Sequence, residues 1–157
     1  MRAVIAALRA EAVLPVWLVG TSMGTVSAAN AAARLRAGGP DGLVLTSTVT
    51  RQGRERPESI CDVRMRDIRV PTPVVVHHRQ DACRGTPYAD TVGLPRDLEG
   101  VPRRELVTFD GGASSQSGPC EARAAHGYFG LDTEVVAAIA KWISATPRKR
   151  AVKMAVL

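Results

Sequence analysis

The stretch Gly20-Thr21-Ser22-Met23-Gly24 constrains this chain more than any other, because of what flanks it. The apolar run Val16-Trp17-Leu18-Val19 ends where it begins, and an alanine-rich stretch from Val26 to Leu35 follows. The pattern is G-x-S-x-G set between a strand-like and a helix-like segment. A serine on such a sharp turn has its hydroxyl lifted clear of the sheet, where a carbonyl can reach it. The turn forces the serine into strained backbone angles, and the glycines are expected where flanking Cβ atoms would not fit. The helix start behind it points free N–H groups at any negative charge developing nearby. Ser22 is therefore a candidate nucleophile; the alternative is a turn serine with a structural role.

The rest of the chain repeats the order of strand and helix. Residues 3–12 read as a helix and 16–19 as the first strand. The helix after Ser22 runs to about Arg36 and stops at Gly38-Gly39-Pro40, a cap signal followed by a breaker. Leu43-Val44-Leu45 reads as a short buried strand, 51–66 as a polar loop with room for a helical turn, and 73–77 as a third strand. Residues 87–98 are weakly helical and interrupted at Gly93 and Pro95; 106–109 is the fourth strand. The clearest helix is 131–144, with Asp132 as its cap and Val135, Val136, Ile139, Trp142 and Ile143 as one apolar face. Apolar strands alternating with helices predict an α/β fold, a parallel sheet covered by helices on both faces. Residues 1–146 form this one core, and 147–157 a basic C-terminal tail.

Composition removes several classes of function. A length of 157 residues with 45% hydrophobic and 23% charged content fits one ordinary globular domain. The net charge is +6, but the arginines are scattered, and only Arg148-Lys149-Arg150 with Lys153 cluster. Aromatics at 4% are too few for nucleic-acid stacking platforms, so no nucleic-acid partner is expected. No apolar run approaches the roughly 20 residues of a membrane span. Arg9 and Glu11 interrupt the first apolar stretch, which reads as a helix and not as an export signal. Histidine and cysteine spacings fit no zinc pattern, and neither a metal nor another cofactor is expected.

In a parallel sheet, chemistry gathers just past the C-terminal strand ends. Asp81 lies in the loop leaving the third strand, and His126 in the loop after the fourth, just ahead of the last helix. Ser22, Asp81 and His126 thus fall on loops at one sheet edge. A serine hydroxyl is a poor nucleophile until an imidazole takes its proton, and a carboxylate must hold that imidazole in one tautomer. His126 is the candidate base and Asp81 its orienter, with Asp90 and Asp110 as rivals for the acid role. His77 and His78 read as strand-end residues packing against the loop.

The chain order serine, acid, histidine, together with three stretches, resembles the α/β-hydrolase family. The stretches are Val16-Trp17-Leu18-Val19-Gly20-Thr21-Ser22-Met23-Gly24, Ile68-Arg69-Val70-Pro71-Thr72-Pro73-Val74-Val75-Val76-His77-His78-Arg79-Gln80-Asp81, and His126-Gly127-Tyr128-Phe129-Gly130. The resemblance implies hydrolysis of esters, thioesters or amides through an acyl-serine, and a serine esterase is the expected activity. It also implies an oxyanion held by the Met23 N–H and a second N–H from an earlier loop.

In that family the elbow strand follows a substantial N-terminal part, whereas here 15 residues precede Val16. The expectation is an abbreviated core corresponding to the C-terminal half of the family fold. One edge of the elbow strand would be bare, which predicts a homodimer through that edge. Ser22 and Asp81 stand 59 positions apart, too few for a folded cap, although 51–66 could form a small flap. The site would be open, suited to short-chain or exposed polyester substrates. Two other readings follow: a catalytically weak or inactive hydrolase domain, and a binding module using the bare edge.

Three cysteines cannot all pair within one chain. Cys83 lies two residues after Asp81 and Cys120 six before His126, so a Cys83–Cys120 disulfide would pin the two loops together, as in some exported relatives of the family. The alternative is a pair of reduced thiols, and Cys61 is left over in either case. Compartment follows the same choice: cytoplasmic if Met1 is the natural start, secreted or periplasmic if the disulfide forms and a signal lies upstream.

Overall fold

The computed structural model describes residues 1–54, 56–70, 73–101 and 103–145, with the backbone alone at Pro73 and Val74. The basic tail expected at 147–157 lies outside the described residues. Among the described residues four parallel strands, β1 (Trp17–Thr21), β2 (Gly42–Thr46), β3 (Pro73–His78) and β4 (Glu105–Phe109), lie in the order β1-β2-β3-β4. Among the described residues five α-helices accompany them: α1 (Arg2–Glu11), α2 (Met23–Arg34), α3 (Tyr88–Thr91), α4 (Leu94–Asp97) and α5 (Asp132–Ser144). The architecture is α/β. Register is in step across the sheet, with Leu45 level with Gly20 and with Val75, and Val75 with Leu106.

Alternation along the strands sends side chains into two cores. Leu43, Leu45 and Val75 face α2, whose Val26, Ala28, Ala29 and Ala32 pack on them. Val44 and Val76 face the other way, onto Val135 and Trp142 of α5. β2 is buried along its whole length because both faces are covered. Alanines on α2 let the helix lie close to the sheet, and Gly20 lets it lie closer still. A Cβ at position 20 would stand 2.4 Å from the Gly24 carbonyl oxygen and 2.9 Å from the Ala28 Cβ. At Gly24, by contrast, a Cβ would meet open space, so packing requires only the first glycine of the motif.

Several local expectations need correction. The 51–66 stretch contains the helical turn it had room for, a 3₁₀ turn at Ile60–Asp62, and starts a second at Met65–Asp67. Ile60, Val63 and Met65 from this stretch join the α2-side core. Ser59 caps the first turn, accepting from Cys61 N while Asp62 accepts from Ser59 N. Pro95 does not interrupt a helix but lies in the first turn of α4, where its missing N–H costs nothing; the break falls at Val92-Gly93. Asp132 makes no capping hydrogen bond, because the chain enters α5 with Leu131 at the cap position. Val136 is exposed, since the sheet-facing stripe of α5 is narrowed to Val135, Ile139 and Trp142. Among the described residues no helix is long and apolar enough to cross a membrane.

Candidate active site

Ser22 occupies the turn between β1 and α2 with φ 51° and ψ −122°, a backbone region that side chains with a Cβ rarely enter. The turn is held from both sides. Ser22 N–H donates to the Thr46 carbonyl at 3.0 Å, and the Ser22 carbonyl accepts from the Thr25 N–H at 2.9 Å and its hydroxyl at 2.6 Å. A serine at a helix start ordinarily spends its hydroxyl capping the first turn. Ser22 is half-buried and makes no such bond, and among the described residues its hydroxyl has no hydrogen-bond partner, His126 included. Met23 opens α2, and its N–H has no acceptor within the helix.

Asp81 and His126 meet in the adjoining loops. Asp81 Oδ2 lies 3.0 Å from His126 Nδ1, and both side chains are almost wholly buried. A carboxylate only accepts, so Nδ1 carries the hydrogen between them. Asp81 Oδ2 also accepts from the Thr86 hydroxyl at 2.8 Å, whose oxygen is 3.1 Å from His126 Nδ1. Asp81 Oδ1 accepts from Cys83 N–H at 2.9 Å. Burial works against a charged Asp81. The hydrogen bonds from His126, His77, the Cys83 N–H and Thr86 outweigh it and hold the carboxyl far below the usual carboxylate range.

A second set of bonds fixes the histidine loop to the sheet. His126 lies in a 3₁₀ turn, Ala125–Gly127, and its carbonyl accepts from the Ser47 hydroxyl at 2.6 Å. Ser47 follows directly on Thr46, the residue that accepts from Ser22 N–H, so the end of β2 anchors both loops. Tyr128 closes the arrangement: its hydroxyl donates to the Val76 carbonyl at 2.7 Å and accepts from Ser47 N–H at 3.2 Å. Burial outweighs the lowering hydrogen bonds from Ser47 and, with a small addition from the Asp81 charge, pushes the Tyr128 phenol up to about 12, which keeps it a donor. Among the described residues the non-glycine residues at positive φ are Ser22, Ser47 (46°) and Tyr128 (59°). All three belong to this one network. Strain of this kind gathers where the surroundings over-determine the backbone.

The rivals for the acid role are engaged elsewhere. Asp90 takes a two-pronged bond from Arg51 and a further one from Thr50, and Asp110 is exposed beside Arg79. Cys83 and Cys120 form a disulfide, with Cα atoms 4.7 Å apart, and Cys61 is free and exposed. His77 and His78 are both buried at the end of β3. His78 Nε2 donates to the Gly111 carbonyl at 3.0 Å, its Nδ1 accepts from Gln80 N–H, and the ring thereby ties the acid loop to the loop after β4.

Sequence reasoning missed Thr86, Ser47 and Tyr128. Hydroxyl residues near strand ends are common, and only Tyr128, two residues after His126 in the same loop, carried any positional hint. Compared with known proteins, the chain matches no protein-family model and no curated protein sequence.

Proposed function

We propose that this chain is a serine hydrolase of the α/β-hydrolase type that cleaves carboxylic esters through an acyl-serine. The observation that carries the reading is the buried Asp81–His126 pair, anchored through Ser47 to the same strand end that holds Ser22. His126 Nε2 takes the Ser22 hydroxyl proton as the oxygen attacks the ester carbonyl. The C–O bond to the alcohol then breaks, and the alcohol leaves with the proton from His126. Water repeats the sequence on the acyl-serine, returning the free acid and the original hydroxyl. Asp81 stays ionised throughout and stabilises the imidazolium.

The Met23 N–H is the oxyanion donor this reading names. A donor of this kind is worth roughly 2.7–4 kcal/mol to the transition state. The stretch between β2 and β3 is spent on core packing through Ile60, Val63 and Met65, which favours an open site over a lidded one. Short acyl esters and exposed polyester chains suit such a site.

The test is hydrolysis of p-nitrophenyl acetate and butyrate by wild type and Ser22→Ala, with covalent labelling by a fluorophosphonate. Wild type turns over and labels once; Ser22→Ala loses on the order of 10⁴-fold or more and does not label. Equal activity in the two proteins would remove Ser22 from the chemistry.

A second property rests on a different observation. β1 is an edge strand, and Val19 on it is 56% exposed beside Leu14 at 62% and Val13 at 99%. An apolar strand edge of this kind pairs readily with another, and a homodimer through β1 is the arrangement it favours.

A further inference from the structure

The His77 ring is fully buried, yet only one of its nitrogens is used. Nε2 lies 2.8 Å from the Thr86 carbonyl and 3.4 Å from Asp81 Oδ2. Both are acceptors, so Nε2 carries the hydrogen, directed at the carbonyl with the carboxylate as a second and weaker acceptor. On the far side of the ring, Nδ1 is buried and has no donor among the described residues. A buried acceptor without a donor lowers stability, a loss that an apolar side chain of similar size would avoid. What the ring contributes must therefore come through Nε2, and Nε2 faces the acid.

We infer that His77 is a positioning residue for the proposed triad: it fixes Thr86 and Asp81 so that Oδ2 stays aimed at His126 Nδ1. The geometry is a clamp. Asp81 Oδ2 receives His126 and the Thr86 hydroxyl, while His77 holds the Thr86 backbone and adds its N–H dipole to the same oxygen. Without His77, the Thr86 carbonyl loses its buried donor, the 81–86 loop loses its tie to β3 at that point, and the carboxylate is free to turn toward Cys83 N–H alone. The ring lies tilted against Tyr88, with ring centroids 6.1 Å apart. His77 touches no reacting atom and moves no proton.

This inference rests on the serine-hydrolase reading for its activity arm and is independent of it for its spectroscopic arm. The probes are His77→Gln, whose amide nitrogen reaches about as far as Nε2, and His77→Leu, which removes the donor. In wild type the His126 Nδ1–H, held by a buried carboxylate, gives a far-downfield proton resonance that needs no substrate to be seen. It persists in His77→Gln and is lost or moved upfield in His77→Leu. With p-nitrophenyl butyrate, kcat in His77→Leu falls at least about 10-fold with KM little changed, while His77→Gln stays within about 3-fold of wild type. If His77→Leu does not fold, His77→Asn, one methylene shorter than glutamine, replaces it in the comparison. An unchanged resonance and unchanged kcat in a folded His77→Leu or His77→Asn would overturn the role. A wild type with the resonance but no hydrolysis would overturn the esterase reading and leave the clamp standing.

Discussion

The two flanks of the sheet are built on opposite principles. At the C-terminal strand ends, polar groups are buried and cross-bonded: His77, Thr86 and Ser47 are sealed from solvent, and Asp81 and His126 nearly so. Along α1 and β1, apolar groups are exposed, with Val4, Leu8, Val13, Leu14 and Val19 all open to solvent. That flank is tied down by Ile5 in the interior and by Arg9, which donates to the Gly39 carbonyl and the Asp41 carboxylate. Most of the polar groups buried there are hydrogen-bonded to one another, which leaves the first region little freedom to rearrange. Exposed apolar surface carries no such demand and leaves its partner open. The hydrogen-bonded strand ends are thus closed on themselves, while the β1 flank exposes apolar side chains.

The sharpest way to break the comparison is at Asp81. Asp81→Asn keeps the shape and one acceptor but favours the wrong imidazole tautomer, and kcat for p-nitrophenyl butyrate should fall on the order of 10⁴-fold. The same substitution reads out on stability. Because the folded-state carboxyl is held below its unfolded value of about 3.9, its contribution is full above that value and is lost as pH falls below it toward the depressed folded value. Chemical denaturation from pH 7 down to pH 2 should show a steeper loss in wild type than in Asp81→Asn. Parallel curves would mean that the carboxylate is not held as described.

Next in size is the disulfide. Cys83 donates its N–H to Asp81 and is bonded to Cys120, 37 residues on, in the segment that leads to His126. Replacing both cysteines by serine should lower stability by roughly 3–4 kcal/mol on chain-entropy grounds, read as a drop in urea midpoint. Activity should fall with it at temperatures where the wild type is still folded. A double variant with unchanged midpoint would show that the hydrogen bonds hold the loops unaided.

The smallest effect on the fold is expected at the open flank. Val19→Lys places a charge on the β1 edge and should change monomer stability by no more than about 0.5 kcal/mol. It should abolish association that wild type shows in sedimentation velocity across micromolar concentrations. Wild type that sediments as a monomer throughout would remove the dimer.

Much of the fold is legible in the sequence. All four strands and the three longest helices could be read from short apolar runs, alanine periodicity and Gly-Pro punctuation, with ends displaced by one or two residues. Those features are local, and the backbone responds to them locally. The 51–66 stretch defeated the same reasoning because its core residues, Ile60, Val63 and Met65, follow no helical or strand period. Their burial is set by where the chain passes under α2.

The site divides in the same way. Ser22 was readable because G-x-S-x-G combines a small residue, a sharp turn and a helix start within five positions. Asp81 could be preferred to Asp90 and Asp110 on position alone, but nothing near those residues in the chain says which carboxylate meets His126. That was decided by contacts 45 residues apart, and the Ser47–His126 and Tyr128–Val76 bonds span 79 and 52. The sequence by itself determined the strand, turn and helix order and the nucleophile candidate, because sterics and periodicity act over a few residues. Only the tertiary structure decided which polar groups share a buried space, because that depends on how the sheet brings distant strand ends together.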